Sequence, residues 1–418
     1  MFKKLKTKKI KKIAAVCLSI FFLMPSVTSV NAQRYNDSYS VSSVISDMKT
    51  GRIVYQKNPD KKVAMASLTK MMTLLVTFDA IKNKQVGKDD TVSILSTDVD
   101  RNGTNMLLEQ GDSVTLGNLM DGMMIVSAND AALAIAHHVG GDYNKFVEMM
   151  NEKAKEIGME NTIFYNSNGL PLSDEKEKTS VENTTTARDV LILSKWLYEN
   201  YPKETTEITD KMKFVYPQKN IDKENTNPLL PLIGEVDGLK TGFTPQAGYC
   251  LAYSMSVDKT NGNDGKNRLI GVSMGAPSKE DRKKISFEAL KYISENYKTK
   301  NIAPSGNSVV CTNINGIEGL KVNLTTEKDL YAIKKNTEKF TYEVKFKKMS
   351  IIDSEDGSLG HLEVKDSFGN IVAESNLYAD VPISDMPFEK RVIITFTSIY
   401  NFFTGNNENT NEYPIITL

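Results

Sequence analysis

The sequence predicts an α+β fold in two parts: a larger mixed domain over residues 33–299 and a small β-rich domain over 300–386. Three observations predict it. Apolar residues recur at helical spacing in several runs between Met71 and Tyr198. Alternating stretches joined by short polar turns stand before and after those runs, at Ser40 to Tyr55 and at Tyr249 to Met274. Beyond about residue 300, alternation of period two replaces the helical spacing.

The first 32 residues stand apart. Lys3 to Lys12 are strongly basic, Ile13 to Leu23 are apolar, and Val30-Asn31-Ala32 puts small residues at a cleavage spacing. That order is a secretory signal peptide, removed from the mature protein. Ser40 to Tyr55 then reads as a hairpin with its turn at Lys49-Thr50-Gly51. Met71, Met72, Leu74, Leu75, Val76 and Phe78 give a helix that starts near Ser67. A polar, loop-rich segment runs from Asn83 to Asp112. Leu116 to Val126 is a helix, a second begins at Asp130, and Ser127-Ala128-Asn129 forms the short connection between them. Tyr143 to Ile157 is amphipathic and stops at Gly158, and Thr184 to Tyr198 is helical with Thr185 or Thr186 as its cap.

Asp237-Gly238 marks a turn, and Lys240-Thr241-Gly242 opens a strand region that continues through Tyr249 to Ser256. Arg268 to Met274 is the partner strand, and Lys279 to Tyr297 is a closing helix. Lys300 to Ser308 reads as a linker. In the β-rich part, Phe340, Tyr342, Val344 and Phe346 form one apolar face, and Leu362, Val364 and Val372 flank a turn at Phe368-Gly369-Asn370.

Lysines and arginines balance aspartates and glutamates at 52 each, so no basic excess points to nucleic acid. Cys250 and Cys311 remain after cleavage and read as packed thiols rather than a bridge. His137 and His138 have no third ligand at metal spacing and read as a helix end. The sequence therefore calls for neither a metal nor a cofactor.

The chemistry concentrates at Ser67 and Lys70. On a helix they share a face one turn apart. A free serine is a poor nucleophile and needs an adjacent base. Burial lowers a lysine's pKa and makes it such a base. Two further elements follow in order: Ser127-Ala128-Asn129 and Lys240-Thr241-Gly242. Together the three sets form the signature shared by penicillin-binding proteins and class A β-lactamases. Ala66-Ser67-Leu68-Thr69-Lys70, Asn168-Gly169-Leu170, Thr186-Ala187-Arg188-Asp189, Asn225-Thr226-Asn227 and Ala247-Gly248-Tyr249 complete the likeness. The chain resembles the low-molecular-weight penicillin-binding proteins, the serine-type D-alanyl-D-alanine carboxypeptidases.

The resemblance implies a β-lactamase/transpeptidase-like catalytic domain, an antiparallel sheet flanked by helices, acting on the outer face of the membrane or in the cell wall. It implies peptidoglycan stem peptides as substrate and β-lactam antibiotics as inhibitors. It casts Ser67 as nucleophile, Lys70 as general base and Ser127 as proton relay. Asn129 positions the substrate and Lys70. Lys240, Thr241, Gly242 and Arg282 line the site for the terminal carboxylate, and the backbone N–H groups of Ser67 and Phe243 receive the oxyanion. Phe243 stands where some relatives carry histidine. A class A β-lactamase needs a glutamate that the stretch Tyr165 to Gly169 does not offer. A transpeptidase and a non-catalytic penicillin-binding sensor are the alternative readings. Last, Phe388, Val392, Ile393, Phe396, Ile399, Tyr400 and Phe403 recur at helical spacing in the tail, 387–418. That apolar stretch is too short to span a bilayer and reads as an interfacial anchor.

Overall fold

The computed structural model describes residues 35–174, 179–256, 268–313, 321–346 and 358–380, with 387–389, 392 and 396 from the tail. The expected signal peptide, residues 1–32, lies outside the described residues. The chain divides into two units, residues 1–36, of which Tyr35 and Asn36 are described, and residues 37–418.

A five-stranded antiparallel sheet forms the centre of the larger part. Its strands are β1 (Ser42–Asp47), β2 (Ile53–Lys57), β3 (Val236–Thr244), β4 (Gly248–Ser256) and β5 (Arg268–Ala276), in the order β3-β4-β5-β1-β2. The chain ends of the domain thus meet in one sheet, with the hairpin β1–β2 added to the edge of the later meander. Lys240-Thr241-Gly242 does not open a strand, as the sequence suggested. It lies in the second half of β3, and β4 is a separate strand that returns from a turn at residues 245–247. The β3 backbone pairs as Lys240 with Ala252 and Thr241 with Leu251.

The helices are α1 (Lys70–Lys82), α2 (Leu116–Ile125), α3 (Asn129–Gly140), α4 (Tyr143–Glu156), α5 (Ala187–Asn200), α6 (Pro202–Thr209) and α7 (Lys279–Asn296). α1 is buried nearly all round, from Lys70 to Phe78, which explains its lack of a polar face. Side-chain caps start several of the others: Thr115 accepts from the Asn118 N–H, Thr186 from Asp189 and Ser278 from Asp281. The sequence began the α5 helix too early. Thr184 and Thr185 instead pair as a short bridge with Ala64 and Val63. Likewise α3 begins at Asn129, not Asp130. Both α5 and α7 pack on the sheet.

The C-terminal part has its own apolar cluster, including Leu324, Phe340, Val344, Leu362, Val364 and Leu377. Its strands are β6 (Tyr297–Ala303), β7 (Val310–Asn313), β8 (Lys321–Thr326), β9 (Leu330–Lys335), β10 (Thr341–Phe346), β11 (Gly360–Lys365) and β12 (Ile371–Ala379). β6 pairs with β9, and the other five form a second antiparallel sheet. The expected linker is therefore partly strand: Lys300 to Ala303 belong to β6. Phe346 falls off the apolar face and is exposed. Cys250 is buried as expected, whereas Cys311 is exposed rather than packed, and both are free thiols.

Arg52, at the foot of β2, joins the two parts. It donates to the Ile333 carbonyl at 2.7 Å and forks onto Glu338 at 2.9 and 2.6 Å. Lys49 sits 3.4 Å over the Tyr331 ring. At the far end of α7, Asn336 N–H donates to the Asn296 carbonyl at 2.8 Å and Lys335 donates to Tyr292 Oη at 2.9 Å. Among the described residues no helix is long and apolar enough to cross a membrane.

Candidate active site

Ser67 lies in a 3₁₀ turn, Ala66–Thr69, that runs directly into α1. Residues i and i+3 eclipse in such a turn, so Lys70 stands over Ser67. Lys70 Nζ is 3.0 Å from Ser67 Oγ, 2.8 Å from Asn129 Oδ1 and 2.6 Å from the Asn168 carbonyl oxygen. The amine is fully enclosed, and burial pulls its pKa down to about 7 against the pull of Asp100 and Asp130 in the other direction. With two carbonyl-type acceptors fixed, the neutral amine has its two N–H groups spoken for. Its lone pair is left facing the Ser67 hydroxyl.

The opposite wall is β3. Lys240 is also buried, and its pKa is pushed well down by burial first, then by the charges of Lys70 and Arg282. Its amine turns back to the Thr241 carbonyl at 3.1 Å. Gly242 has a geometric reason. A Cβ there would stand 3.0 Å from the Met65 carbonyl oxygen and 3.1 Å from Ser67 N, so only glycine lets β3 run this close behind the serine. Phe243 is exposed and stacks on Tyr249 at 4.3 Å between ring centroids.

Arg282, which the resemblance placed at the carboxylate site, is buried. It is 7% exposed on the inner side of α7, its Nε has no hydrogen-bond partner, and its Nη1 reaches the Cys250 carbonyl only at 3.5 Å. The third wall is the turn between α2 and α3. Asn129 N–H donates to the Thr104 carbonyl and its Nδ2 to the Asn102 carbonyl, both at 2.8 Å. Ser127 sits two residues before Asn129 with φ +63°, and Ala66, just before Ser67, has φ +47°. Each of these left-handed residues costs about 1–3 kcal/mol that the surrounding structure must supply.

The structure thus joins Ser67, Lys70 and Asn129 by direct hydrogen bonds. It sets Lys240 and Arg282 within electrostatic reach of Lys70 or of one another, and brings Gly242 against Ser67. Sequence reasoning missed the Asn168 carbonyl as a ligand of Lys70, and Asp100 and Asp130 as charges acting on it. A backbone carbonyl carries no side-chain signal, and the two carboxylates sit on segments whose approach depends on the whole fold. Among the described residues no cluster suits a metal ion.

A serine hydroxyl under a lysine of depressed pKa, between a helix bundle and the edge of an antiparallel sheet, defines a serine hydrolase of the acyl-transfer type. Residues 27–278 match the family model of Peptidase S11, D-alanyl-D-alanine carboxypeptidase. The chain belongs to this family of serine-type carboxypeptidases. It is 31% identical over 348 residues to the D-alanyl-D-alanine carboxypeptidase DacF of Bacillus subtilis, covering 81% of this chain and 84% of that protein. The structure resembles penicillin binding protein 5 from Haemophilus influenzae, with a TM-score of 0.68 and 29% identity over 82% of this chain and 96% of that one. It also resembles penicillin-binding protein D2 from Listeria monocytogenes in a cefotaxime-bound form, with a TM-score of 0.52 and 29% identity over 60% of this chain and 96% of that one.

Proposed function

We propose that the chain removes the terminal D-alanine from peptidoglycan stem pentapeptides through an acyl-enzyme on Ser67, and that β-lactams acylate the same oxygen. The observation that carries this reading is the buried Lys70 amine, held near neutrality and 3.0 Å from Ser67 Oγ.

Lys70 takes the Ser67 proton as Oγ attacks the carbonyl carbon of the D-Ala-D-Ala bond. The carbonyl electrons move onto oxygen and meet the backbone N–H groups of Ser67 and Phe243; losing one such donor typically costs ~10²–10³ in rate. The intermediate collapses and the D-alanine nitrogen leaves with a proton relayed through Ser127. Water then attacks the acyl carbonyl, the tetrapeptide departs and Ser67 regains its proton. Lys240, Thr241 and Arg282 receive the terminal carboxylate, whose negative charge favours the protonated forms of the lysine and the arginine while the threonine hydroxyl donates to it. Asn129 holds Lys70 and the substrate backbone.

The same reading assigns 33–299 to catalysis, 300–386 to a β-rich domain and 387–418 to a tail on the outer membrane face, with the protein exported by its first 32 residues. Phe388, Val392 and Phe396 are helical, and the two phenylalanines are 71% and 67% exposed. Exposed aromatics at this spacing support an interfacial helix. Ile393, Ile399, Tyr400 and Phe403 lie outside the described residues.

The test is incubation of the mature protein with a pentapeptide ending in D-Ala-D-Ala, with free D-alanine measured. The wild type releases it and Ser67→Ala does not. Equal release by the variant overturns the assignment of Ser67.

A further inference from the structure

Asn183 lies outside every sequence motif discussed above, yet it is completely buried and ties together three segments behind the site. Its Nδ2 donates to Thr69 Oγ1 at 2.9 Å, in the turn that carries Ser67, and to the Asn166 carbonyl at 3.0 Å. Its Oδ1 accepts from the backbone N–H groups of Tyr165 at 2.7 Å and Asn166 at 3.2 Å. Its own carbonyl accepts from Met65 N–H at 3.1 Å. Asn166 continues the network, accepting from Gly169 N–H at 2.6 Å and donating to the Leu170 carbonyl at 2.7 Å. Inside the loop that those two bonds close lies Asn168, whose carbonyl oxygen is the 2.6 Å acceptor of Lys70 Nζ. The strap closes tightly on the serine turn: a Cβ at Gly169 would stand 2.0 Å from the Ala66 carbonyl oxygen.

The neighbouring residue grips the opposite wall. Buried Glu182 accepts from Thr244 Oγ1 at 2.7 Å, and Thr244 Oγ1 in turn accepts from Ala247 N–H at 3.0 Å. Thr244 directly follows Phe243 at the end of β3.

We infer that Asn183 is a positioning residue for the acylation step: through the Asn166–Leu170 strap it places the Asn168 carbonyl and so aims the Lys70 lone pair at Ser67. The inference rests on the assignment of Lys70 as base made above. A buried side chain that satisfies two donors and two acceptors at once leaves the strap one position relative to Thr69. Without it the carbonyl drifts, an N–H of Lys70 loses its acceptor and the lone pair loses its direction. Misplacement by about 1 Å costs on the order of 10²-fold in such reactions. The β3 wall and the carboxylate pocket are left in place, so initial binding suffers less.

The test uses full-length mature protein and a fluorescent penicillin, with pre-equilibrium affinity and the acylation rate constant measured separately across pH 5–9. For Asn183→Ala the acylation constant is expected to fall about 10–100-fold while affinity changes less than about threefold. The charged groups that act on Lys70 or its surroundings are Asp100, Asp130, Lys240 and, through Lys240, Arg282. None of them is altered. A lost acceptor disfavours the ammonium form, so the rising limb of the acylation profile is expected to move to lower pH. Where Asn183→Ala does not fold, Asn166→Ala cuts the same strap and keeps the Asn183 bonds to Thr69 and Met65, with the same outcome expected. Acylation within twofold of wild type, or an equal loss in affinity with an unmoved limb, overturns the inference. A Lys70→Ala protein that acylates as fast as wild type overturns the underlying assignment of the base instead, so the two failures are distinct.

Discussion

The depressed pKa of Lys70 predicts a specific pH profile for acylation. The perturbation is pH alone. The base must be neutral, and its pKa lies at about 7 because the amine is enclosed by Ser67, Asn129 and Asn168 away from water. At pH 5, two units below, only about 1% of the amine is neutral; at pH 8 the fraction is roughly 90%. The second-order rate constant for acylation should therefore rise on the order of 100-fold from pH 5 to 8 and then level. This quantity reports the free enzyme, before a substrate carboxylate adds its own charge. Stopped-flow labelling with a fluorescent penicillin measures it directly. Asp100 holds the pKa up, so Asp100→Asn should move the midpoint to lower pH. A profile flat over pH 5–8, or one centred near the free-lysine value above 10, would refute Lys70 as the base.

The same pKa has a stability counterpart. Folding lowers Lys70's pKa below its unfolded value, so between about pH 7 and 10.5 the unfolded chain binds more protons and this residue's contribution to stability rises with pH. Lys70→Ala should remove acylation almost completely, whereas Lys240→Arg keeps a charge on β3 and should retain part of it, read by gel labelling. Arg268 and Asp237 form a buried pair at 2.8 Å, with Tyr198 against the guanidinium. Arg268→Met strands the carboxylate and should cost about 3–5 kcal/mol in denaturant unfolding. Mature protein should pellet with anionic vesicles and a chain ending at Met386 should not; if both stay in solution, the tail does not bind membrane.

The local part of this architecture was legible. Ser67 and Lys70 sit three apart in sequence, and any helical turn brings them together. Strand pairs with short connections, β1–β2 and β11–β12, announced themselves by alternation and turn residues. What stayed hidden depends on distant partners. β6 reads Tyr-Lys-Thr-Lys-Asn-Ile-Ala, a solvated pattern that becomes a strand only because β9 offers an edge. Thr184 and Thr185 have the composition of a helix cap, but the chain at Val63–Ala64 recruits them as a bridge. Asn183 carries no local signal, since its importance lies in joining residues 65, 69 and 166 across the fold. Arg282 was placed at the carboxylate site by the family resemblance alone, because α7 is charged along its length; only the sheet beneath it shows which side faces inward.

The double attachment at β9 shows where the two parts are joined. One grip is at the β1–β2 turn, where Arg52 and Lys49 hold Ile333, Glu338 and Tyr331. The other is at the end of α7, where Asn296 and Tyr292 hold Asn336 and Lys335. Both grips close on one short stretch, Tyr331 to Glu338, so they clamp the β6–β9 pair where it leaves α7 rather than holding the five-stranded C-terminal sheet at two separate points. That pair is the joint between the two parts. The joint rests on the β1–β2 hairpin, one edge of the same five-stranded sheet whose opposite edge carries Lys240.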